Sequence, residues 1–353
     1  MNRNLSRPAN TRPATAPRPA AAKALTALGW VMAVLGLLGT LPLIVLWVAP
    51  RLQALSFYTV ALASFIPLWW IPAVCLAGGL SLALRAWWRL LGVGVVAVIL
   101  VIEASNIASI VGGWGPDALV NVEPDESETR LAVVSVNAQY GQVDVDALLK
   151  SVSEGYAPAD VLIISEHTPA LAEALTEAGL KEQMPYVVGT QRTDAGGTAI
   201  YSRAPLRQVA TSDTAFDNIV VTTTKGGAEY VVAGVHATAP QLGGRRWDSE
   251  GAALADLFAP YVNENFLAIG DFNAIDQHLT MRRFYSLGLE NAAWEQTSGL
   301  RWWPTWPVGS TVPPFVRIDH ALCGPNLACT MPNLIALPGT DHMALSLWID
   351  ARA

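Results

Sequence analysis

The chain opens with two uncharged stretches, Ala24 to Pro50 and Leu52 to Leu84, and a third apolar run, Leu90 to Val111, is interrupted only by Glu103. A bilayer core takes about 20 helical residues, so each run is long enough to cross, and the pattern predicts three transmembrane helices within residues 24–112. The Pro-, Ala- and Arg-rich residues 1–23 read as a disordered, solvated basic tail, and residues 113–130 as an acidic linker. From Leu131 the pattern changes to short β-rich runs alternating with amphipathic stretches. Strands are predicted at Leu131–Asn137, Val161–Ser165, Gly197–Ser202, Ile219–Thr224, Tyr230–His236, Phe266–Gly270, Arg317–Cys323 and Met343–Ile349. Helices are predicted at Val143–Ser153, Pro169–Ala178 and Asp248–Tyr261. Several consecutive strands are joined by short turns, which favours an α+β layered domain over residues 131–353 rather than a parallel doubly wound sheet.

Composition supports the division. Of 353 residues 52% are hydrophobic and only 14% charged, too apolar for a wholly soluble chain. The formal net charge of −7 is uneven: residues 1–112 carry eight Lys or Arg and one acid, and the rest fourteen bases against twenty-eight acids, a net of −14. An acidic domain excludes tight, sequence-independent binding of long nucleic-acid duplexes, which works by displacing counterions with basic groups. Arg3, Arg7, Arg12, Arg18 and Lys23 precede the first run, so the positive-inside rule makes the N-terminus cytoplasmic. Three crossings then set the domain after residue 112 outside the cytoplasm, as part of a multi-pass protein of the cell membrane. Cys323 and Cys329 enclose five residues on what reads as a hairpin, and either a disulfide or two thiols fits that spacing.

The chemistry-bearing residues fall at the ends of the predicted strands. Asn137, Glu166, His236, Asp271 with Asn273, and Asp341 with His342 each end or adjoin an apolar run, and Asp319 begins another. Strand ends in layered sheets bring distant segments to one rim. Carboxylate and amide oxygens suit Mg²⁺ or Mn²⁺, whereas zinc takes more His or Cys. Singly, each residue has an ordinary reading: Asn137 as a turn former, Glu166 as a solvated loop acid, His236 as a satisfied strand-end histidine, Asp271 as a turn cap.

Together, Val-Asn137, Ser-Glu166, Gly197-Thr-Ala-Ile-Tyr-Ser-Arg203, Val-His236, Gly270-Asp-Phe-Asn273, Arg317-Ile-Asp-His320 and Thr340-Asp-His342 resemble the endonuclease/exonuclease/phosphatase superfamily over about Leu131 to Ile349. The resemblance implies a DNase I-like four-layer α/β/β/α sandwich, here preceded by the three transmembrane helices. It also implies a phosphoric ester hydrolase using Mg²⁺ or Mn²⁺. Glu166 and Asp341, with Asn137, would hold the metal. His236, Asp271, Asn273, Asp319 and His342 would be catalytic, and Asn137, Asn273 and His236 would contact the phosphate. Ser165 stands where many members have Gln. His320 alternates to the opposite face and is left outside the site.

These expectations describe a membrane-anchored phosphodiesterase or nuclease acting on nucleic acid or a phospholipid headgroup, with the lipid bilayer and no stable duplex as partners. Phospholipid or sphingomyelin-type headgroup hydrolysis is the enzymatic alternative, and a non-catalytic tethered binding protein the alternative from another class. Arg203, Arg207, Arg245, Arg246, Arg282, Arg283 and Arg301 are candidate phosphate contacts, although scattered arginines are usually solvated. The aromatic run Arg301–Pro307 reads as a packed loop or a stacking lip.

Overall fold

The computed structural model describes residues 20–84, 87–111, 127–154, 158–295 and 304–352. Most of the basic tail, residues 113–126 of the acidic linker, and Arg301 to Trp303 lie outside the described residues. The chain divides into two units, residues 1–41 with 70–101 and residues 42–69 with 102–353.

The first unit is helical. It holds most of α1 (Ala20–Val48), α3 (Trp70–Ala83) and the first part of α4 (Trp87–Val111). Glycines let α1 and α3 approach closely: a Cβ on Gly36 would lie 2.3 Å from the Leu76 nitrogen, and one on Gly79 2.4 Å from the Ala33 nitrogen. Small residues at a crossing are how helices gain contact where no hydrophobic drive separates protein from solvent. Among the described residues two helical segments, Ala20–Val48 and Ile66–Ala83, rather than three, have the length and hydropathy to cross a bilayer.

The second predicted run, Leu52 to Leu84, is not one helix. Its first part forms a 3₁₀ turn (Pro50–Leu55), α2 (Phe57–Ala63) and a second 3₁₀ turn (Ile66–Leu68). Ser56 caps α2 reciprocally with Thr59, and proline opens both 3₁₀ turns, which breaks the run into pieces. This connector belongs to the second unit. Gln53, with no exposed surface, explains the docking: its Oε1 accepts from the Leu279 N–H at 2.8 Å.

The rest of the second unit is the predicted sandwich. One sheet contains β1 (Leu131–Asn137), β2 (Val161–Ser165), β3 (Tyr186–Gly189), β4 (Thr198–Ser202), β11 (Leu327–Ala336) and β12 (Met343–Ala351), in the order β11-β12-β1-β2-β4-β3. The other contains β5 (Arg207–Thr211), β6 (Ile219–Lys225), β7 (Ala228–His236), β8 (Phe266–Asp271), β9 (Glu290–Asn291) and β10 (Asp319–Cys323), in the order β5-β6-β7-β8-β10-β9. Inward side chains such as Val133, Ile163, Val232 and Ile269 fill the space between the sheets.

Helices cover both outer faces because alternate strand residues point outward and are also apolar. Over the first sheet lie α5 (Val145–Glu154), α6 (Pro169–Glu177) and α7 (Leu180–Gln183), burying Leu148, Leu171 and Leu180 against Val136 and Ile164. Over the second lie α8 (Gly244–Phe258) and α9 (Leu279–Ser286), burying Trp247, Phe258 and Phe284, and Val60 of the connector joins that core. A short α10 (Ala292–Glu295) follows β9. A Cys323–Cys329 disulfide closes the β10–β11 hairpin.

Candidate active site

The register of the second sheet builds half of the site. The parallel β7–β8 pair sets His236 beside Asp271, and the antiparallel β8–β10 pair sets Asp271 opposite Asp319, so three functional groups stand on adjacent strands at one rim. In the first sheet Asn137 and Ser165 are paired across β1 and β2, and Glu166 follows directly. His342 immediately precedes β12, which runs antiparallel to β1. The Thr340 hydroxyl donates to the Asn137 carbonyl at 2.7 Å and accepts from the His342 N–H at 3.1 Å, tying these two ends together.

Asn137 links the sheets. Its Nδ2 donates to Glu166 Oε1 at 3.2 Å and Asp271 Oδ2 at 3.0 Å, while its Oδ1 accepts from the Gln139 N–H at 2.9 Å. In this arrangement the Asn137 amide braces two carboxylates, and its oxygen keeps a second lone pair beyond the Gln139 N–H. The Tyr140 N–H donates to Glu166 Oε2 at 2.6 Å. Gln139, Tyr140, Glu166 and Asn273 are the non-glycine residues with positive φ, 45° to 56°, among the described residues. Such backbone strain costs about 1–3 kcal/mol per residue and collects at functional sites.

His342 Nδ1 lies 3.0 and 3.2 Å from the two oxygens of Asp319, and its Nε2 is 3.9 Å from Asp271 Oδ2 and 3.8 Å from Asp341 Oδ1. Burial favours neutral imidazole, but Asp319 and then Asp271 outweigh it and push the His342 pKa up to about 10. Burial raises the Asp271 carboxyl, against the lowering influence of His342 and the Asn273 and Asn137 hydrogen bonds. His236, stacked on Phe216 with ring centroids 4.3 Å apart, is lowered to about 3 by burial and by His342, so it is neutral. Burial also raises Glu166, and nearby Asp341 adds to the effect.

A third of the Asp341 side chain is exposed, and its Oδ2 accepts from Trp306 Nε1 at 2.9 Å. Glu166 and Asp341 share one cavity of about 630 Å³ with His236, Asp271, Asn273 and His342. Two carboxylates facing one cavity form a donor set of hard oxygens, which fits Mg²⁺ or Mn²⁺. Asp271, Asp319 and His342 form a second close cluster, with ligand atoms within 4.8 Å of one another. The Asp319–His342 bond already occupies that cluster.

Every predicted site residue therefore comes to this rim. His320 does not: it is fully buried on the other side of β10, bonded to the Ala274 carbonyl at 2.8 Å and to Asn291 at 2.8 Å. Of the candidate arginines, Arg203 is on the Ala159 carbonyl, Arg246 on Glu250 and Arg283 on Asp248, and Arg301 lies outside the described residues. Sequence reasoning missed Tyr140, which acts through its backbone and leaves no side-chain signal. It also missed Asn218, whose Oδ1 accepts from the His236 N–H at 2.8 Å, and the role of Trp306 within the aromatic run.

The sequence profile described as the Endonuclease/Exonuclease/phosphatase family matches residues 134–342, more than half of the chain and all but the edges of the sandwich. The chain belongs to this family. Its sandwich resembles the endonuclease/exonuclease/phosphatase of Bacteroides vulgatus, at 13% identity and TM-score 0.50 over 64% of this chain and 100% of that one. The corresponding protein of Beutenbergia cavernae is 13% identical over 64% of this chain and 72% of that one, with TM-score 0.49. D. rerio TDP2, solved with a single strand DNA product, is 13% identical over 63% of this chain and 99% of that one, with TM-score 0.45. No curated protein matches the sequence significantly. Members of this family are typically hydrolases of phosphoesters, and the chain has that phosphoesterase fold.

Proposed function

We propose that the protein is a membrane-anchored, divalent-metal-dependent phosphodiesterase whose catalytic sandwich faces away from the cytoplasm. The observation that carries the reading is the convergence of Asn137, Glu166, His236, Asp271, Asp319, Asp341 and His342, from both sheets, on one cavity rim. A scaffold without turnover has no use for a buried, charge-coupled set aimed into an open cavity.

Glu166 and Asp341 are the residues to hold the metal, with Asn137 bracing Glu166. A bound divalent cation supplies charge to a nonbridging phosphate oxygen and acidifies water. Asp271, its proton affinity raised towards neutrality by burial, takes a proton from the attacking water, and Asn137 and Asn273 hold its carboxylate in position. Water attacks phosphorus, and the bond to the ester oxygen opposite breaks. His342, kept as imidazolium by Asp319, sets positive charge against the reacting phosphate and returns a proton to the leaving oxygen. Neutral His236 donates a hydrogen bond to a nonbridging oxygen.

The membrane topology draws support from the connector. Residues 50–65 follow one apolar helix and lead into the next, and within their own unit they hydrogen-bond to the sandwich through Gln53, Val60 and Ser64. Connector and sandwich then share one side of a bilayer. The disulfide supports an oxidising side. The test is metal-dependent release of p-nitrophenol from bis(p-nitrophenyl) phosphate by the full chain in detergent. Activity restored by Mg²⁺ or Mn²⁺ after chelation and lost in Asp271→Asn supports the proposal; turnover indifferent to chelation, or none with either ion, contradicts it.

A further inference from the structure

The cavity over the catalytic rim is built from unlike materials. Its floor is Glu166, Asp271, Asp341 and the imidazoles of His236 and His342, whereas its walls include Phe57, Val60 and Phe65 of the connector and Phe216, Leu242 and Phe315 of the sandwich loops. No Lys or Arg is among the described residues that line it. Nucleic-acid sites place Lys and Arg on the phosphates flanking the reacting one, whereas the walls formed by the described residues are largely apolar.

The connector wall is also fixed in place. His278 accepts from the Ile275 N–H at its Nδ1 and donates from Nε2 to the Val60 carbonyl at 3.2 Å, and Gln53 donates to the Leu46 and Gln277 carbonyls while accepting from Leu279. Beyond the cavity the same connector leaves Leu55, Tyr58 and Leu62 exposed, at 63%, 79% and 40%, so the apolar surface continues outward from the catalytic rim. Its two ends lead directly into Ala20–Val48 and Ile66–Ala83, the two apolar helical segments.

We infer that the substrate is an amphiphilic phosphodiester, a phospholipid whose phosphate sits over Asp271 and His342 while an acyl chain lies along the wall made by the connector. The inference rests on the phosphodiesterase reading and narrows its substrate class. Cleavage is hydrolysis of one phosphorus–oxygen ester bond: water supplies the oxygen gained by phosphorus, and its protons end on the phosphate side and on the released alcohol.

The test uses the full chain in nanodiscs with Mg²⁺ or Mn²⁺ and a series of p-nitrophenyl alkyl phosphates of increasing alkyl length, kept below their micelle-forming concentrations. Bis(p-nitrophenyl) phosphate, single-stranded DNA and phosphatidylcholine vesicles are run beside them. The inference predicts that kcat/KM climbs with chain length, by at most about fourfold per methylene buried, and that the vesicles are hydrolysed. It also predicts that Phe57→Gln with Phe65→Gln flattens the climb, lowering turnover of the longest ester at least tenfold more than that of the shortest. A flat series in the wild-type protein, or preference for single-stranded DNA, overturns the lipid inference while leaving the phosphodiesterase reading in place. Inactivity on every substrate overturns both.

Discussion

Replacing Asp319 by Asn isolates the charge in the buried pair that orders the site. His342 and Asp319 are only 6% and 3% exposed, and Asp319 grips Nδ1 with both oxygens at 3.0 and 3.2 Å. Burial pulls the imidazole pKa down, and Asp319 with Asp271 overcomes that pull, from the ordinary 6.5 to about 10. A histidine raised on folding contributes stability that is complete below pH 6.5 and is lost as the pH rises through about 10. Losing one partner of a buried pair costs about 3–5 kcal/mol. Asn keeps the shape and an acceptor for Nδ1–H, and Asp271 remains 3.9 Å from Nε2, so the loss belongs at the low end, about 3 kcal/mol. That is a sizeable share of the ~5–15 kcal/mol that stabilises a domain. Thermal unfolding of metal-free wild-type and Asp319→Asn protein, scanned across the range from pH 6.5 to 10, should show a gap that is widest at the acid end and closes towards the alkaline end. A gap of constant size, or a wild-type His342 that titrates by NMR at or below its ordinary value, refutes the reasoning.

The remaining predictions concern other parts of the structure. Asp271→Asn should lower kcat by ~10²–10⁴ with the unfolding midpoint little changed, measured by p-nitrophenol release and circular dichroism. Glu166→Gln should raise the Mg²⁺ concentration for half-maximal activity on the order of tenfold or more, read from a metal titration at saturating substrate. Cys323→Ser with Cys329→Ser opens a short loop and should cost about 2 kcal/mol, seen as a lower melting temperature that the reduced wild type reproduces. Gln53→Ala leaves the Leu279 N–H without its acceptor and should cost ~1–3 kcal/mol, appearing as faster amide exchange in the connector and the start of α9.

Much of the sandwich was legible because its central strands are buried on both faces and read as unbroken apolar runs. β1 and β2 fall on the predicted residues, and β6, β7, β8 and β12 within two of them. Strands at the edges were not legible. β3 and β5 are exposed and short, and β11 shifts register between Thr330 and Asn333 around a proline. α9 has only eight residues, so its apolar stripe, with Met281 and Phe284 buried on either side of Arg282 and Arg283, spans little more than two turns.

The site was readable as a set of strand ends, since register alone carries His236, Asp271 and Asp319 to one rim. What register cannot convey is which way an amide turns: the Asn137 N–H groups brace Glu166 and Asp271, a contact between the two sheets that the strand pattern does not show. The connector was hidden for another reason. Hydropathy does not distinguish a Phe facing lipid from one facing a cleft, and the signals against a continuous helix were Gln53, the Ser56–Thr59 cap and the two prolines.

The most direct measurement is the position of Mn²⁺ in an experimental structure of the full chain soaked with the ion, located by its anomalous scattering. The account predicts a peak within bonding distance of a Glu166 oxygen, on the Asp341 side of the cavity, that disappears in Glu166→Gln. A peak held by Asp319 and His342 instead, with their mutual bond broken, would contradict it.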